Sequence, residues 1–536
     1  MVFLPVFLLK FPGGSAPYPP ARGSALDPVG GCAHKPPRGL GASRRVSQLA
    51  RFARKLTPHF KILATALFVA LLGLVYADCV IPDEIHEAWG YVDVRPKAHM
   101  FWWFMKTPCG DVDNRPIVIW LQGGPGGSGT GYGNFMEVGP QDNNLQPRNY
   151  TWLKEASLLF IDSPVGAGFS YVDDKDAFTT TVYEVADDLV TALGEISAQL
   201  RLKHYNGSSL PPIFIFSESY GGKVAPVFGS KIVDAQAKGF LSDVKLGGVA
   251  IGDGAVSVVD SASMWPEYLF QISQIDLHQR IIMQKMAGNL EDAYAHGDLD
   301  TSYQLLGSLM ETIANVTDDV YFYNIIYHHQ PNPPLKANVE NYWSNVEKLK
   351  QQKNYKKMTR TGQIAYLSSI KTRAIGWLPQ AVDYNGDNLD TLMGEKVRRK
   401  LGIIPEKVSW GGQAIQCYIH LGDELILDVI DSVDDCLDKG VRVIVYNGML
   451  DLIINSAGQD KWINKLTWPG LQEYYKQERI PLYPPSLLKE QRTGAFHKAY
   501  KNFEYYWVLM SGHMVPIDAP EMALEMVRRI LADDRE

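Results

Sequence analysis

Short apolar runs alternate with amphipathic segments along most of the chain after about residue 78. Six of these runs are dense in Val, Ile and Phe: Ile117–Leu121, Ser157–Ile161, Ile213–Phe216, Gly247–Ile251, Val441–Tyr446 and Tyr505–Met510. Continuous runs of this kind are typical of strands that are buried on both faces. Several of the segments between them have helical spacing, for example Val182–Leu200. The alternation predicts an α/β fold with a mostly parallel central sheet flanked by helices.

The pattern changes from about Val258 to Gly440. Long amphipathic segments dominate there, such as Leu277–Ala295 and Thr301–Ala314. Their spacing predicts helices. We interpret residues 258–440 as a helical insertion at one edge of the sheet that forms a cap over its carboxyl end. The strand pattern resumes at Val441.

The N-terminal residues differ from the rest of the chain. Residues 1–60 are rich in Pro, Gly, Ala and Arg without core periodicity, which predicts a disordered extension. Residues 61–77 contain the uncharged run Ile62–Ala77, preceded by a cationic stretch, and Val75 and Ala77 provide the small residues of a cleavage site. This order predicts a secretory signal peptide. A signal anchor is the alternative, but the run is shorter than the roughly 20 residues that a bilayer requires. Residues 78–536 then form the folded domain.

Composition excludes several classes of function. The 536 residues are 46% apolar and carry a net charge of −7, with no sustained basic run outside the N-terminal tail, so no nucleic-acid partner is expected. The sequence contains no CxxC or HExxH spacing and no Walker motif, and we discount a dinucleotide-binding GxGxxG that opens a helix. We therefore predict neither a metal nor a cofactor.

Cysteines and sequons point to the secretory pathway. Beyond the N-terminal tail there are four cysteines, which allow at most two disulfides and leave three pairings open: Cys79, Cys109, Cys417 and Cys436. Three Asn-x-Ser/Thr sequons predict a glycoprotein, with candidate sites at Asn149, Asn206 and Asn315.

The segment FIFSESYGGK, Phe214 to Lys223, contains a candidate nucleophile. A catalytic serine at a nucleophile elbow follows a strand directly, opens a helix and is surrounded by small residues. Ser219 meets these conditions, because the predicted strand precedes it and Gly221 and Gly222 follow. Ser217 occupies the usual position of the first glycine, where a small side chain is tolerated. A Ser-rich turn without catalytic function is the alternative for this segment alone.

Two later strand ends supply the partners that a serine requires. A serine hydroxyl is a poor nucleophile until a base removes its proton, and a carboxylate orients that base. Asp451 follows the predicted strand that ends at Tyr446, and His513 follows the last strand. Each residue alone could be an ordinary loop residue. Their order, Ser then Asp then His, matches the order along the chain in α/β-hydrolases.

The glycine-rich segment Trp120–Pro140 predicts an oxyanion hole. A tetrahedral intermediate requires two fixed amide donors, and glycines let backbone N–H groups approach closely. The amide of Gly124 is the expected first donor and the amide of Tyr220, directly after the nucleophile, is the second.

Four separated blocks resemble the serine carboxypeptidases, and among them the retinoid-inducible branch: WLQGGPGGSGTGYGNFMEVGP, SPVGAGFSY, FSESYGGK and SGHMVP. The resemblance covers roughly Glu84 to Arg529. It implies an α/β-hydrolase fold with a helical insertion, and the release of single C-terminal amino acids at acidic pH.

The resemblance also implies how the substrate is selected. In that family an amide side chain of the glycine loop and two acids bind the terminal carboxylate of the substrate, and the matching residues here are Gln122, Glu218 and Glu137. Two features depart from the family pattern. Gln122 replaces the commoner Asn, and Gly127 stands where many relatives carry a Cys that would pin the loop.

Together these features predict a serine-type carboxypeptidase that cleaves peptide or protein C-termini through an acyl-enzyme and is secreted or lysosomal. One alternative is an acyltransferase that uses the same acyl-enzyme. The other is a binding or scaffold protein with little turnover. Membrane association is expected only if the signal segment stays uncleaved. The sequence leaves the preferred C-terminal residue and the oligomeric state open, a homodimer included.

Overall fold

A computed structural model describes residues 79–328, apart from Asp83, Asn206 and Ser208, and residues 386–532. The predictions for residues 1–60 and 61–77 and for the sequon at Asn206 therefore lie outside the described residues. So does the part of the predicted insertion between residues 329 and 385. Among the residues described, no helix is long and apolar enough to span a bilayer.

The described part of the chain is organised by a sheet of eleven strands in the order β1-β2-β4-β3-β6-β7-β8-β11-β10-β9, with β5 paired to β2. The strands are β1 Glu87–Arg95, β2 Ala98–Met105, β3 Ile117–Leu121, β4 Ser157–Ile161, β5 Tyr171–Val172, β6 Ile213–Glu218, β7 Leu246–Gly252, β8 Val443–Gly448, β9 Ile480–Leu482, β10 Ala495–Tyr500 and β11 Phe503–Val508.

The six central strands pair in parallel, from β4 through β3, β6, β7 and β8 to β11. These are the six runs that the apolar pattern predicts, and β3 and β4 have the predicted bounds. Their side chains are buried on both faces, so each run is apolar throughout rather than alternating. The outer strands β1, β2, β9 and β10 pair antiparallel, and the pattern did not reveal them.

Some helices cover the two faces of the sheet and others form a separate layer. The described α-helices are α1 Val182–His204, α2 Tyr220–Ala237, α3 Val258–Gln271, α4 Leu277–Ala295, α5 Leu299–Val316, α6 Gly386–Thr391, α7 Arg398–Leu401, α8 Ile415–Leu421, α9 Ile430–Asp438, α10 Ser456–Ile463, α11 Leu471–Tyr475, α12 Pro485–Lys489, α13 Val515–Asp518 and α14 Pro520–Ala532. A π-helical segment, Gly129–Val138, follows the glycine loop. Helices α1 and α2 contribute to the core on one face, and α14 to the core on the other.

The predicted helical region after Val258 has its own apolar core. Helices α3, α4 and α5 pack around Trp265, Leu290 and Leu309, separately from the two cores on the sheet. Helix α4 has the predicted bounds, because Asp276 forms a capping box with Gln279 at its start.

A disulfide between Cys79 and Cys109 selects among the pairings that the sequence left open. Cys417 and Cys436 are buried thiols. Of the sequons, Asn149 and Asn315 have exposed side chains.

Candidate active site

Ser219 lies at the turn between β6 and helix α2 with φ 59° and ψ −120°, a conformation that non-glycine residues seldom adopt. Backbone hydrogen bonds to β7, to the loop after β7 and to helix α2 hold this turn. The amide of Ser219 donates to the carbonyl of Gly252 at 3.0 Å, and its carbonyl accepts from the amides of Gly222 and Ala255, each at 2.9 Å. The hydroxyl makes no capping bond to the helix. The turn therefore presents the hydroxyl without engaging it in the helix.

Glycines after the serine allow the elbow to pack tightly. A Cβ atom on Gly221 would lie 2.2 Å from the carbonyl oxygen of Leu121, and one on Gly222 would lie 2.5 Å from the Cα of Gly254. Because both contacts are with backbone, a larger residue would displace the helix from the sheet.

Ser217 is part of β6 and does not face an open site. Its side chain is buried, and the hydroxyl donates to the carbonyl of Ala250 on the adjacent strand at 2.8 Å. The Tyr446 hydroxyl donates to the carbonyl of Ser217 at 2.8 Å. The serine in place of glycine is thus accommodated by a hydrogen bond across the sheet.

His513 and Asp451 form a buried pair. Nδ1 of His513 lies 2.7 Å from Oδ2 of Asp451, and since an ionised carboxylate only accepts, Nδ1 is the donor. The His513 amide donates to the carbonyl of Tyr323 at 2.7 Å, and the two rings meet edge to face at 4.8 Å. The remaining nitrogen, Nε2, is buried and has no hydrogen-bond partner among the described residues, Ser219 included.

Sheet order brings these residues to one edge. Ser219 follows β6, Asp451 follows β8 and His513 follows β11, and these strands belong to the parallel centre of the sheet. The carboxyl ends of parallel strands meet at the same edge, which is where ligands bind in open α/β sheets. The three residues predicted from strand ends therefore share one rim of the sheet.

The glycine loop lies directly against the nucleophile. A Cβ atom on Gly123 would be 2.5 Å from Cβ of Ser219 and 3.0 Å from its Oγ. Gly124 has φ 120° and precedes Pro125. Neither the Gly124 amide nor the Tyr220 amide is paired with another backbone group in the described part of the chain. Both are therefore available as donors. The sequence did not single out Gly123, because glycine repeats do not show which glycine touches the serine.

Gln122 joins two acids beside the nucleophile. Its Nε2 donates to Oε1 of Glu137 and to Oε1 of Glu218, each at 3.0 Å. Its Oε1 accepts from Nε1 of Trp120 at 2.7 Å, which fixes the orientation of the amide. The structure thus places together the three residues that the resemblance implies, and the longer Gln side chain reaches both acids.

The family model described as serine carboxypeptidase matches residues 80–533. The chain belongs to the serine carboxypeptidase family. It is a serine-type carboxypeptidase, an exopeptidase of the hydrolase class. The predicted family and α/β-hydrolase fold are both confirmed.

Relatives match over most of this carboxypeptidase. Retinoid-inducible serine carboxypeptidase of Mus musculus is 39% identical, with 83% of this chain and 92% of the relative covered. Serine carboxypeptidase-like 51 of Arabidopsis thaliana is also 39% identical and covers 87% and 98%. A prohormone-processing carboxypeptidase of Saccharomyces cerevisiae shares the fold, with a TM-score of 0.66 and 19% identity over 84% of this chain and 91% of that one.

Burial perturbs the acids of the Gln122 cluster. Burial raises the pKa of Glu137 to about 7, against hydrogen bonds that lower it. Burial also raises the pKa of Glu218 well above its usual range, and the negative charge of Glu137 raises it further. Two carboxyl groups in contact share protons, so the pair behaves as one titrating unit. At acidic pH both groups are neutral and can donate hydrogen bonds.

A short segment, Trp410–Ala414, holds the glycine loop of this carboxypeptidase. The amide of Ser128 donates to the carbonyl of Gly412, and the amide of Ala414 donates to that of Gly126, both at 2.9 Å. Nε2 of Gln413 donates to the carbonyl of Pro125 at 3.0 Å. These bonds fix the loop around Gly127, the position where many relatives carry a cysteine, and no motif in the sequence predicted them.

Asp162 anchors the far side of the loop and explains the SPVGAGFSY block. It is buried and accepts from the hydroxyl of Ser128 at 2.8 Å, from the amide and hydroxyl of Thr130, and from the amide of Phe169. A Cβ atom on Gly168 would lie 2.0 Å from its carboxylate, so only glycine fits there. The block is therefore structural support for the oxyanion loop.

Asp253 is a site residue that sequence reasoning missed. It follows β7, and one side-chain ligand atom from each of Asp253, Asp451 and His513 lies within 4.8 Å of the others. Such a group could ligate a cation, but Nδ1 of His513 is already bonded to Asp451. The signal available in the sequence was an Asp that comes directly after a predicted strand.

Proposed function

We propose that this carboxypeptidase releases C-terminal amino acids from peptides and proteins at acidic pH, with Ser219 as the nucleophile. The observation that carries the assignment of residues is the buried His513–Asp451 pair at the same sheet edge as the strained Ser219 turn. Nε2 of His513 takes the proton of Ser219 as its Oγ attacks the carbonyl carbon of the last peptide bond. Asp451 holds the imidazole in the tautomer that leaves Nε2 free to accept.

Attack by Ser219 gives a tetrahedral intermediate, which then collapses to an acyl-enzyme. The amides of Gly124 and Tyr220 stabilise the oxyanion. The imidazolium gives its proton to the leaving nitrogen, the C–N bond breaks, and the C-terminal amino acid departs. Water attacks the ester carbonyl with His513 as base, and the shortened peptide leaves with a new carboxyl terminus.

Selection of a free C-terminus depends on Gln122, Glu137 and Glu218. A substrate carboxylate is ionised above about pH 4. Neutral acid side chains can donate hydrogen bonds to it, whereas ionised ones repel it. The raised pKa values of Glu137 and Glu218 keep the cluster neutral in acid, which supports an acidic optimum.

The secretory pathway, with secretion or the lysosome as destination, is the proposed location. The Cys79–Cys109 disulfide supports an oxidising compartment, and the exposed Asn149 and Asn315 are the proposed glycosylation sites. Cleavage of the segment before residue 78 is the processing that we expect.

The function is tested with a blocked dipeptide at about pH 5, where the substrate carboxylate is ionised and Glu137 keeps its proton. Wild type, Ser219→Ala and Ser217→Ala are compared, with Ser217→Ala as the matched control. We expect release of the C-terminal amino acid by wild type and the control, and a loss of at least ~10³-fold in Ser219→Ala. Equal losses in the two variants would refute the choice of nucleophile.

A fluorophosphonate probe separates the alternatives. Labelling of Ser219 together with amino-acid release supports hydrolysis. Labelling without release, and transfer of the acyl group to an added alcohol, would indicate an acyltransferase. The absence of both labelling and release in folded wild type would indicate a scaffold protein.

A further inference from the structure

Asp253 lies between the strands that carry Ser219 and Asp451. It follows β7, which pairs with β6 on one side and β8 on the other. Its side chain is fully buried, and its backbone has φ 39°, which is unusual for a non-glycine residue. The Asp253 amide donates to the carbonyl of Tyr446 at 2.8 Å. The chain therefore holds a carboxyl group in the interior directly beside Asp451.

The two oxygens of Asp253 have different surroundings. Oδ1 accepts from the amide of Gly448 at 2.8 Å. Oδ2 is buried and meets no hydrogen-bond donor among the described residues. The carboxyl group of Asp451 lies beside that of Asp253, and an ionised carboxylate can only accept a hydrogen bond. Oδ2 can therefore be satisfied by Asp451 only if Asp253 itself carries the proton.

The hydrogen-bond donors around the two carboxyl groups identify Asp451 as the ionised partner. Asp451 receives two donors, the amide of Ile454 at 3.2 Å on Oδ1 and Nδ1 of His513 at 2.7 Å on Oδ2. Asp253 receives one donor. Two adjacent buried carboxyl groups cannot both ionise without a large electrostatic cost.

The electrostatic surroundings agree with a neutral Asp253. Burial raises the pKa of Asp253 well above its usual range, and the charge of Asp451 raises it further. The carboxyl group of Asp518 also faces this region and adds to the cost of another negative charge. His513 is the basic group of the cluster.

We propose that Asp253 is a positioning residue, whose neutral carboxyl group donates a hydrogen bond to Asp451 and fixes that carboxylate against Nδ1 of His513. Asp253 then acts through Asp451 and does not touch the substrate. The imidazolium that forms during reaction faces one negative charge rather than two, so it can return its proton to the leaving nitrogen. This inference rests on the proposed hydrolytic function.

The Asp253→Asn and Asp253→Ala variants distinguish a positioning role in catalysis from a purely structural role. Asp253→Asn keeps an oxygen for the Gly448 amide and a donor for Asp451, so we expect kcat within about threefold of wild type. Asp253→Ala removes the donor, and we expect kcat to fall about 10-fold, the effect of one hydrogen bond to a charged group. KM is expected to stay unchanged in both variants.

Asp434→Ala is the matched control. Asp434 is a buried carboxylate that accepts hydrogen bonds from the backbone amides of Thr467 and Trp468. It should lower the melting temperature without lowering kcat per folded molecule. Equal loss of kcat in Asp253→Asn and Asp253→Ala would overturn the proposal, as would an unchanged kcat in folded Asp253→Ala.

Infrared spectroscopy tests the protonation directly and does not require the alanine variant to fold. We expect the wild-type spectrum at neutral pH to contain a protonated carboxyl C=O band that is missing from Asp253→Asn. If the protonated carboxyl band is the same in wild type and Asp253→Asn, then Asp253 is ionised and the proposal is overturned. If wild type itself releases no amino acid, the hydrolytic function fails instead, and the infrared result still decides the state of Asp253.

Discussion

His513 donates from Nδ1 to Oδ2 of Asp451 across 2.7 Å, although the two residues are 62 positions apart in the chain. Both side chains are buried, so bulk water does not compete for this bond. The bond determines which nitrogen of the imidazole carries the proton, and it leaves Nε2 as the only ring atom that can accept one.

Asp451→Asn should abolish most turnover without disturbing the fold. An amide at this position can donate to Nδ1 and would favour the wrong imidazole tautomer, an effect of ~10⁴-fold on kcat in other serine hydrolases. Steady-state hydrolysis of a blocked dipeptide measures the loss, and circular dichroism checks the fold. A variant that retains more than a tenth of wild-type kcat would exclude Asp451 as the orienting acid.

Gly123→Ala should impair the nucleophile through direct contact. The added methyl group would lie 3.0 Å from Oγ and 2.5 Å from Cβ of Ser219, so the serine or the loop must move. Displacement of a reacting group by about 1 Å can cost ~10²-fold in rate. We expect a loss of that size in kcat/KM and slower labelling by a fluorophosphonate.

Gly411→Ala is the control for this prediction. It lies in the segment that holds the glycine loop, but the nearest atom to its added Cβ would be 3.6 Å away, an ordinary contact. Activity close to wild type is expected. A similar loss in both variants would mean that the loop is sensitive to any added methyl group.

Substrate affinity should weaken as the pH rises through about 7, where burial places the pKa of Glu137. Below that pH the neutral carboxyl donates to the substrate carboxylate, and above it the ionised group repels the substrate. Glu137→Gln presents a neutral donor at residue 137 at every pH and leaves Glu218 as the remaining acid of the pair, so its KM should rise less than that of wild type between pH values on either side of 7. Measurement of KM against pH tests this, and parallel profiles for wild type and variant would contradict it.

Thermal stability should decrease between acidic and neutral pH. The pKa of Glu137 rises from 4.5 in the unfolded chain to about 7 in the fold, so the unfolded chain releases its proton first as the pH increases. The contribution of Glu137 to stability is therefore fully present below about pH 4.5, declines above it and is lost as the pH rises through about 7. Calorimetry at a series of pH values measures the trend.

At the acid end another group opposes this trend. Arg442 and His497 lower the pKa of Glu504 to about 2, although burial alone would raise it. Its contribution is present above the usual Glu pKa and is lost as the pH falls toward 2. We expect the melting temperature to be highest in mildly acidic solution. In Glu137→Gln the decline toward neutral pH should become shallower, and an unchanged decline would assign it to other groups.

The apolar pattern was sufficient to predict the centre of the sheet. Runs such as Ile117–Leu121 are apolar on both faces because helices cover both sides, and this composition is visible without a structure. The antiparallel outer strands were not predicted. Residues in β1 are only partly buried and β10 is similar, so neither forms a continuous apolar run.

The candidate residues were predicted because their chemistry depends on local position. A serine after a strand, an Asp and a His after later strands, and a glycine-rich loop can each be recognised along the chain. Asp253 and the Trp410–Ala414 segment were missed, since their significance comes from contacts with residues far away in sequence. The Asp253 carboxyl becomes notable only because Asp451 lies next to it in the folded interior.

The sequence by itself determined the alternation of strands and helices, the elbow at Ser219 and the order of its partners, because all of these depend on neighbouring residues. Tertiary structure alone decided which carboxyl groups share a proton, which glycine touches Ser219, and which cysteines form the disulfide. Those features depend on distances and burial that arise only when separate strands pair, and the free energy of a buried charge is set by every group around it.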